Sequence, residues 1–154
     1  MVVLISHRGN LNGPNKEMEN KPEYIETALE KGFYVEVDVW KIGKNNIYLG
    51  HDEPQYEIDL DFLKSDPRII CHAKNVLALK YLLKHGIHCF GHDKDDYVLT
   101  SRGFIWTYPS RDLTTQSICV LPEWREGGIK SCSELWCYGI CSDFVEEIKT
   151  ILNY

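Results

Sequence analysis

Short, nearly unbroken apolar runs alternate along this chain with stretches of helical periodicity. That alternation restricts the fold more than any other feature of the sequence. The runs include "VVLIS", "FYVEVDVW", "RIICHAK", "IHCF" and "SICV". A strand with one wet face alternates apolar and polar residues, whereas these mostly do not. They therefore read as strands covered on both faces, the pattern of a mostly parallel sheet. Between them lie "KPEYIETALEKG" and "NVLALKYLLKHG", each with an apolar stripe at helical spacing.

The local signals agree with that reading. Pro22 suits a first helical turn, and Gly32 stops the helix. Asn75 is placed to cap the second helix, with Gly86 as its stop. "DLDFLKSD" reads as one or two helical turns. "SDFVEEIKTILNY" reads as a closing helix capped by Ser142 or Asp143. The 154 residues predict a single domain spanning 1–154. About seven to eight mostly parallel strands share that length, whereas a full (β/α)₈ barrel typically takes ~250 residues. The expected fold is thus α/β: a reduced, irregular TIM-type (β/α) barrel with several helices shortened to loops. The alternative is an open doubly wound sheet. No glycine-rich nucleotide fingerprint follows the first strand, which weakens the nucleotide-binding versions of that alternative.

Composition narrows the function. Hydrophobic residues make up 44% of the chain, enough for a real core. The 17 Lys and Arg against 23 Asp and Glu give a net charge of -6, which argues against a general nucleic-acid binder. A local basic pocket for one phosphate is compatible with that charge. No stretch approaches the ~20 apolar residues of a membrane span. "MVVLIS" lacks the basic start and length of a secretion signal. The expectation is a cytoplasmic protein with no stable membrane anchor. Its six cysteines would then be mostly reduced.

Chemistry collects at the strand ends. His7 and Arg8 follow the first run, and Glu36 and Asp38 lie in the second. His51 and Asp52 follow the short "IYLG" run, and His72 and Lys74 close "IICHAK". His92 and Asp93 follow "IHCFG". In parallel sheets and barrels the carboxyl ends of the strands share one face, where such folds carry their sites. Glu36 and Asp38 are two residues apart on a strand and so point to the same side. Two close inward carboxylates repel unless a cation lies between them. Either a hard divalent ion such as Mg²⁺ or Ca²⁺ resolves this, or one acid pairs with Arg8 or Lys74. His7 and His51 suit general acid and base roles, because imidazole titrates near neutral pH. Arg8 and Lys74 suit a phosphate, or compensate the two acids.

"ISHRGN" followed by "MENKPEYIETALEKGFYVEVDVWKIGKNNIYLGHDEP" resembles the N-terminal half of the glycerophosphodiester phosphodiesterases. More loosely, it resembles the phosphatidylinositol-phospholipase-C-like barrels. The resemblance rests on His7-Arg8, on Glu36-Val37-Asp38, on His51, and on Glu19-Asn20 and Gly32. It covers roughly the first 55 residues closely. It implies a (β/α)₈-type barrel and metal-dependent hydrolysis of a small phosphodiester. It further implies His7 and His51 as the acid/base pair, Glu36 and Asp38 as ligands of Mg²⁺ or Ca²⁺, and Arg8 on the phosphate.

The later half departs from the family pattern. The family's Glu-x-Lys corresponds here to "CHAK", so His72 stands in the place of a third carboxylate ligand, and Lys74 keeps the lysine. The third ligand is then His72, water, or an acid from elsewhere such as Glu123. An imidazole ligand moves the preference toward Mn²⁺. "IWTYP" is similar to a late family strand and puts Trp106 in the substrate pocket. "YGICSDF" is similar to the last strand, with Asp143 at its end. The departure at His72 and the short chain also fit a second reading, a non-catalytic phosphate- or partner-binding relative. A third reading, a metal-dependent hydrolase of esters or amides, has less need of two cations. Cys132, Cys137 and Cys141 lack the spacing of a zinc knuckle and read as buried thiols. "HDKDD" could touch a metal but reads rather as a solvated loop, and Trp106, Tyr108, Trp124 and Trp136 could stack on a ligand, although aromatics in a small core mostly pack.

Overall fold

Val35, Val37 and Val39 are buried on one face of a single strand, while Glu36 and Asp38 are buried on the other. This strand, β2 (Tyr34–Ile42), organises the sheet. The computed structural model describes residues 2–44 and 46–154. In chain order the other elements are β1 (Val3–His7), α1 (Pro22–Glu30), β3 (Asn46–Leu49), β4 (Tyr56–Ile58) and α2 (Leu60–Lys64). Then come β5 (Ile69–Ala73), α3 (Val76–Lys84), β6 (Cys89–Phe90), β7 (Tyr97–Leu99) and β8 (Ile105–Thr107). β9 (Ser117–Val120), β10 (Gly139–Ser142) and α4 (Val145–Ile151) complete the chain.

The strands form one ten-stranded sheet. Its parallel ladders run β8, β9, β10, β1, β2, β5, β6. The antiparallel pairs β2/β3, β3/β4 and β7/β8 are added at its margins. The result is a mixed α/β protein with a curled, half-barrel sheet of mostly parallel strands. The sheet has ten strands where seven to eight were expected, and seven of them lie in parallel ladders. β4 and β7, in stretches given no element from the sequence, are the additions, and both pair antiparallel. Among the described residues no ladder joins β6 to β8. The approach there is made by Ser101 N donating to the Cys89 carbonyl at 2.8 Å and by the stacked rings of Phe90 and Trp106, 4.3 Å apart. No helix among the described residues is long and apolar enough to cross a membrane.

The two faces of the sheet are packed differently. Leu4, Val35, Val37, Val39, Cys71 and Ile140 face a large core shared with Ile25 and Ala28 of α1, Ala78 and Leu82 of α3, and Val145 and Ile148 of α4. Ile5, Ile70, Phe90, Trp106, Ile118 and Cys141 form a smaller cluster on the opposite, concave face. Side chains two residues apart share a face. The next residues up that face from Ile5 and Ile70 are therefore His7 and His72, beside Glu36 and Asp38. Register brings them together: His7 pairs with Glu36 across β1/β2, and Asp38 with His72 across β2/β5. An apolar floor thus carries a polar layer at the carboxyl ends of the strands.

Helix ends follow the sequence signals, with one correction. Asn75 caps α3 by accepting from Ala78 N. Gly32 and Gly86 take positive φ just past α1 and α3. The cap of α4, however, is neither Ser142 nor Asp143 but Phe144, without a side-chain cap bond. Ser142 ends β10 and its hydroxyl donates to Glu123, while the Asp143 carboxylate is turned toward His7 and Asn10. The six cysteines are free thiols, five of them buried and Cys137 half-buried.

His88 is nearly fully buried, with Nε2 3.0 Å from Thr100 Oγ1. Burial, helped by Arg102, pushes its pKa from 6.5 down to about 4. The folded protein therefore binds this proton less readily than the unfolded chain. Its contribution is intact above the unfolded pKa and is lost as pH falls toward about 4, by roughly 3 kcal/mol at most. Urea denaturation of the native chain and of His88→Gln checks this. The variant should lose less stability between about pH 7.5 and pH 4.5, and parallel pH profiles would contradict the assignment.

Candidate functional site

Asp38 is the hub of the polar layer and is completely buried. Its Oδ2 lies 3.0 Å from Arg8 Nε and 3.3 Å from His51 Nδ1, and accepts from Asn20 Nδ2 at 3.0 Å. Its Oδ1 lies 3.1 Å from His72 Nδ1 and 3.5 Å from Lys74 Nζ. Burial alone would raise its pKa. The contacts with His51 and His72 and the Arg8 charge outweigh burial and hold Asp38 well below the usual carboxylate range. The ion-pair reading of the two acids thus holds for Asp38.

Glu36 is held differently. Its Oε1 is 3.8 Å from His72 Nδ1, and its Oε2 is 3.9 Å from His7 Nε2. Burial, reinforced by the Asp38 charge, raises its pKa. Glu36 Oε2 is buried without a hydrogen-bond partner, while Asp38 Oδ1 has only its ion-pair contacts with His72 and Lys74. Such an orphaned atom in a native fold calls for an explanation. Glu36, Asp38 and His72 each present a ligand atom, all within 4.8 Å of one another. Two carboxylates and an imidazole suit a divalent ion, so the donor set fits the metal expected from the sequence.

Short hydrogen bonds fix the surrounding residues. His7 Nδ1 lies 2.8 Å from Asp143 Oδ1. With Nδ1 donating to that carboxylate, Nε2 is left toward Glu36 and the cavity. Burial lowers the His7 pKa, but the Asp143 hydrogen bond and the Glu36 charge prevail and raise it. Asn10, fully buried, donates Nδ2 to both Asp143 and Glu19. Glu19 in turn accepts from Arg8 Nη1 at 3.1 Å. Asn20 takes a positive φ of 65° and clamps Asp38 twice, through its side chain and through Asp38 N. Glu19 and Asn20 therefore position Arg8 and Asp38.

His51 follows β3 on a tight turn. Gly50 N donates to the Asp38 carbonyl, and its own carbonyl accepts from Trp40 Nε1 at 2.7 Å. Gly50 has φ of 151°, and a Cβ there would lie 2.0 Å from the Glu53 carbonyl oxygen. Gly50→Ala should therefore shift the His51 turn and lower stability by about 2 kcal/mol or more. The urea midpoint reads this directly, and an unchanged midpoint would show that the turn adapts freely.

The polar layer opens into a cavity of about 250 Å³ that reaches His7, Arg8, Glu36, His51 and His72. A second hollow, about 330 Å³, shares Arg8 and His51 and is lined by Lys16, Glu19 and Asp52. Trp106 lines the first cavity, as expected. His92 also lines it, stacked on His72 with ring centres 4.7 Å apart. His7, Arg8, Glu36, Asp38, His51, His72, Lys74 and Trp106 lie in or beside this layer, whereas Asp52 and Asp93 are exposed. Glu123 does not join the ligand cluster: its carboxylate accepts from Asp143 N and Ser142 Oγ. Sequence reasoning missed Asn10, which has no periodic signal in its loop. It placed Asp143 at a strand end without a role there, although the strand-end rule that found His7 and His72 applies equally to it. Comparison with protein-family models, with curated proteins and with solved structures found no match.

Proposed function

We propose that this chain is a metal-dependent phosphodiester hydrolase, similar in chemistry to the glycerophosphodiester phosphodiesterases, on a reduced TIM-type barrel. The observation that carries the reading is the buried cluster of ligand atoms on Glu36, Asp38 and His72, in which Glu36 Oε2 has no hydrogen-bond partner. These three residues would hold a divalent ion, Mn²⁺ ahead of Mg²⁺ or Ca²⁺ because one donor is imidazole. Bound there, such an ion supplies positive charge to the phosphoryl oxygens as they gain charge. Arg8 and Lys74 bind and orient the phosphate. His7 Nε2, held by Asp143, accepts the proton of the attacking water or hydroxyl. His51, beside Arg8, returns a proton to the leaving alcohol. Turnover of glycerophosphodiesters and of a bis-aryl phosphodiester with Mg²⁺, Mn²⁺ or Ca²⁺ tests the reading. It stands if one metal supports turnover that chelation abolishes, and falls if none does.

One observation favours a second reading, a non-catalytic phosphate-binding relative. Arg8 and Lys74 already compensate Asp38 without any metal. That reading predicts phosphate binding that is indifferent to chelation.

A further inference from the structure

The cavity above the polar layer has two unlike walls. One carries the histidines, Arg8 and Glu36. The other is built from Trp106, Tyr108, Val120, Leu121 and Trp124. Trp106 is buried against Phe90, which fixes its ring. Tyr108 and Trp124 are 45% and 61% exposed at this wall. Such a concave, mostly aromatic surface offers few polar partners to the hydroxyls of a polyol.

The turn that carries Trp124 is held in an uncommon conformation. Leu121 is left-handed, with φ 47° and ψ 60°, a costly state for a branched residue. It leads into a single 3₁₀ turn, Pro122–Trp124. Two anchors hold the turn against β10: Leu121 N donates to the Cys141 carbonyl at 2.8 Å, and Glu123 accepts from Ser142 Oγ and Asp143 N. The same Asp143 holds His7. Leu121 thus fills the wall while Trp124 sits at its rim, both tied to the strand that orients His7. An exposed aromatic maintained by backbone strain and a half-buried carboxylate has the features of a preorganised contact surface.

We infer that the alcohol group of the substrate is a flat, apolar ring system that stacks in the Trp106–Tyr108–Trp124 wall, rather than glycerol. The inference rests on the phosphodiesterase reading for the position of the phosphate, set by Arg8 and Lys74. The ring lies on the aromatic wall, and the phosphate faces the polar layer. Ring stacking on such side chains changes affinity by about tenfold or more.

Calorimetry with phenyl phosphate, adenosine 5′-monophosphate, glycerol 3-phosphate and inorganic phosphate tests this on the intact chain, with turnover of the matching diesters measured in parallel. Phenyl phosphate should bind about tenfold tighter than glycerol 3-phosphate. Trp124→Ala should remove most of that preference, and Trp124→Phe should restore it. Adenosine monophosphate binding as tightly as phenyl phosphate supports the same wall with a nucleoside as the ring. Equal binding of phenyl and glycerol phosphates, or a preference untouched by Trp124→Ala, overturns the inference while leaving the hydrolase reading intact. A ring preference without turnover of any diester sinks the hydrolase and the inference about its substrate together, leaving a ring-binding surface. No binding by any phosphate compound removes both.

Discussion

Replacing Asp38 by asparagine should destabilise the metal-free protein by about 3–5 kcal/mol, whereas Glu36→Gln should leave it as stable as before or more so. The two acids are neighbours on one strand and both are buried, so burial alone predicts similar effects. Their partners differ. Asp38 lies within 3.5 Å of Arg8, His51, His72 and Lys74. Asparagine there leaves Arg8 and Lys74 largely enclosed without their counter-charge. Glu36 has no contact of that kind. Its pKa is raised, because burial and Asp38 both disfavour its charge. Ionising it at neutral pH therefore costs stability, and a neutral glutamine removes that cost. A residue kept at the expense of stability is the usual mark of a functional position. Urea denaturation in the presence of a chelator measures both variants. Equal losses would show that Glu36 is as structural as Asp38.

His7→Ala should lower kcat/KM for a phosphodiester by about 10²–10⁴-fold with little change in KM. The ring is fixed by the 2.8 Å contact with Asp143 and faces Glu36 across the ladder, so its function depends on an orientation that no neighbour can supply. Asp143→Asn should give a smaller loss, because the ring remains but loses the carboxylate charge that fixes its tautomer and raises its pKa. Steady-state kinetics on the native chain and both variants decide this. Full activity in His7→Ala would remove His7 from the chemistry.

These expectations could be drawn from the sequence only in part. The polar layer was legible because its members obey two local rules: side chains two apart on a strand share a face, and residues at the ends of parallel strands share a rim. Glu36 and Asp38 came from the first rule, and His7, His72 and Lys74 from the second; His51 follows an antiparallel strand and reaches the layer because β3 runs back alongside β2. Gly32, Gly86 and Asn75 were legible because turns and caps are decided by backbone conformation within a few residues. What failed was non-local. Asn10 is buried because Asp143 and Glu19 converge on it, and nothing near it in the chain records that. Asp143 carried a helix-cap signal that the site overrode, since His7 and Asn10 claim its carboxylate. β4 and β7 are three-residue strands that exist only through their antiparallel partners. The gap between β6 and β8, bridged by Phe90 and Trp106, was invisible for the same reason.

The central claim is that Glu36, Asp38 and His72 form one divalent-cation site. Calorimetric titration of the chelator-treated protein with Mn²⁺ tests it most directly, because it needs no substrate. The account predicts one ion per chain, with binding lost in Glu36→Gln although that variant remains folded. No binding by the native chain, or undiminished binding by Glu36→Gln, would contradict it.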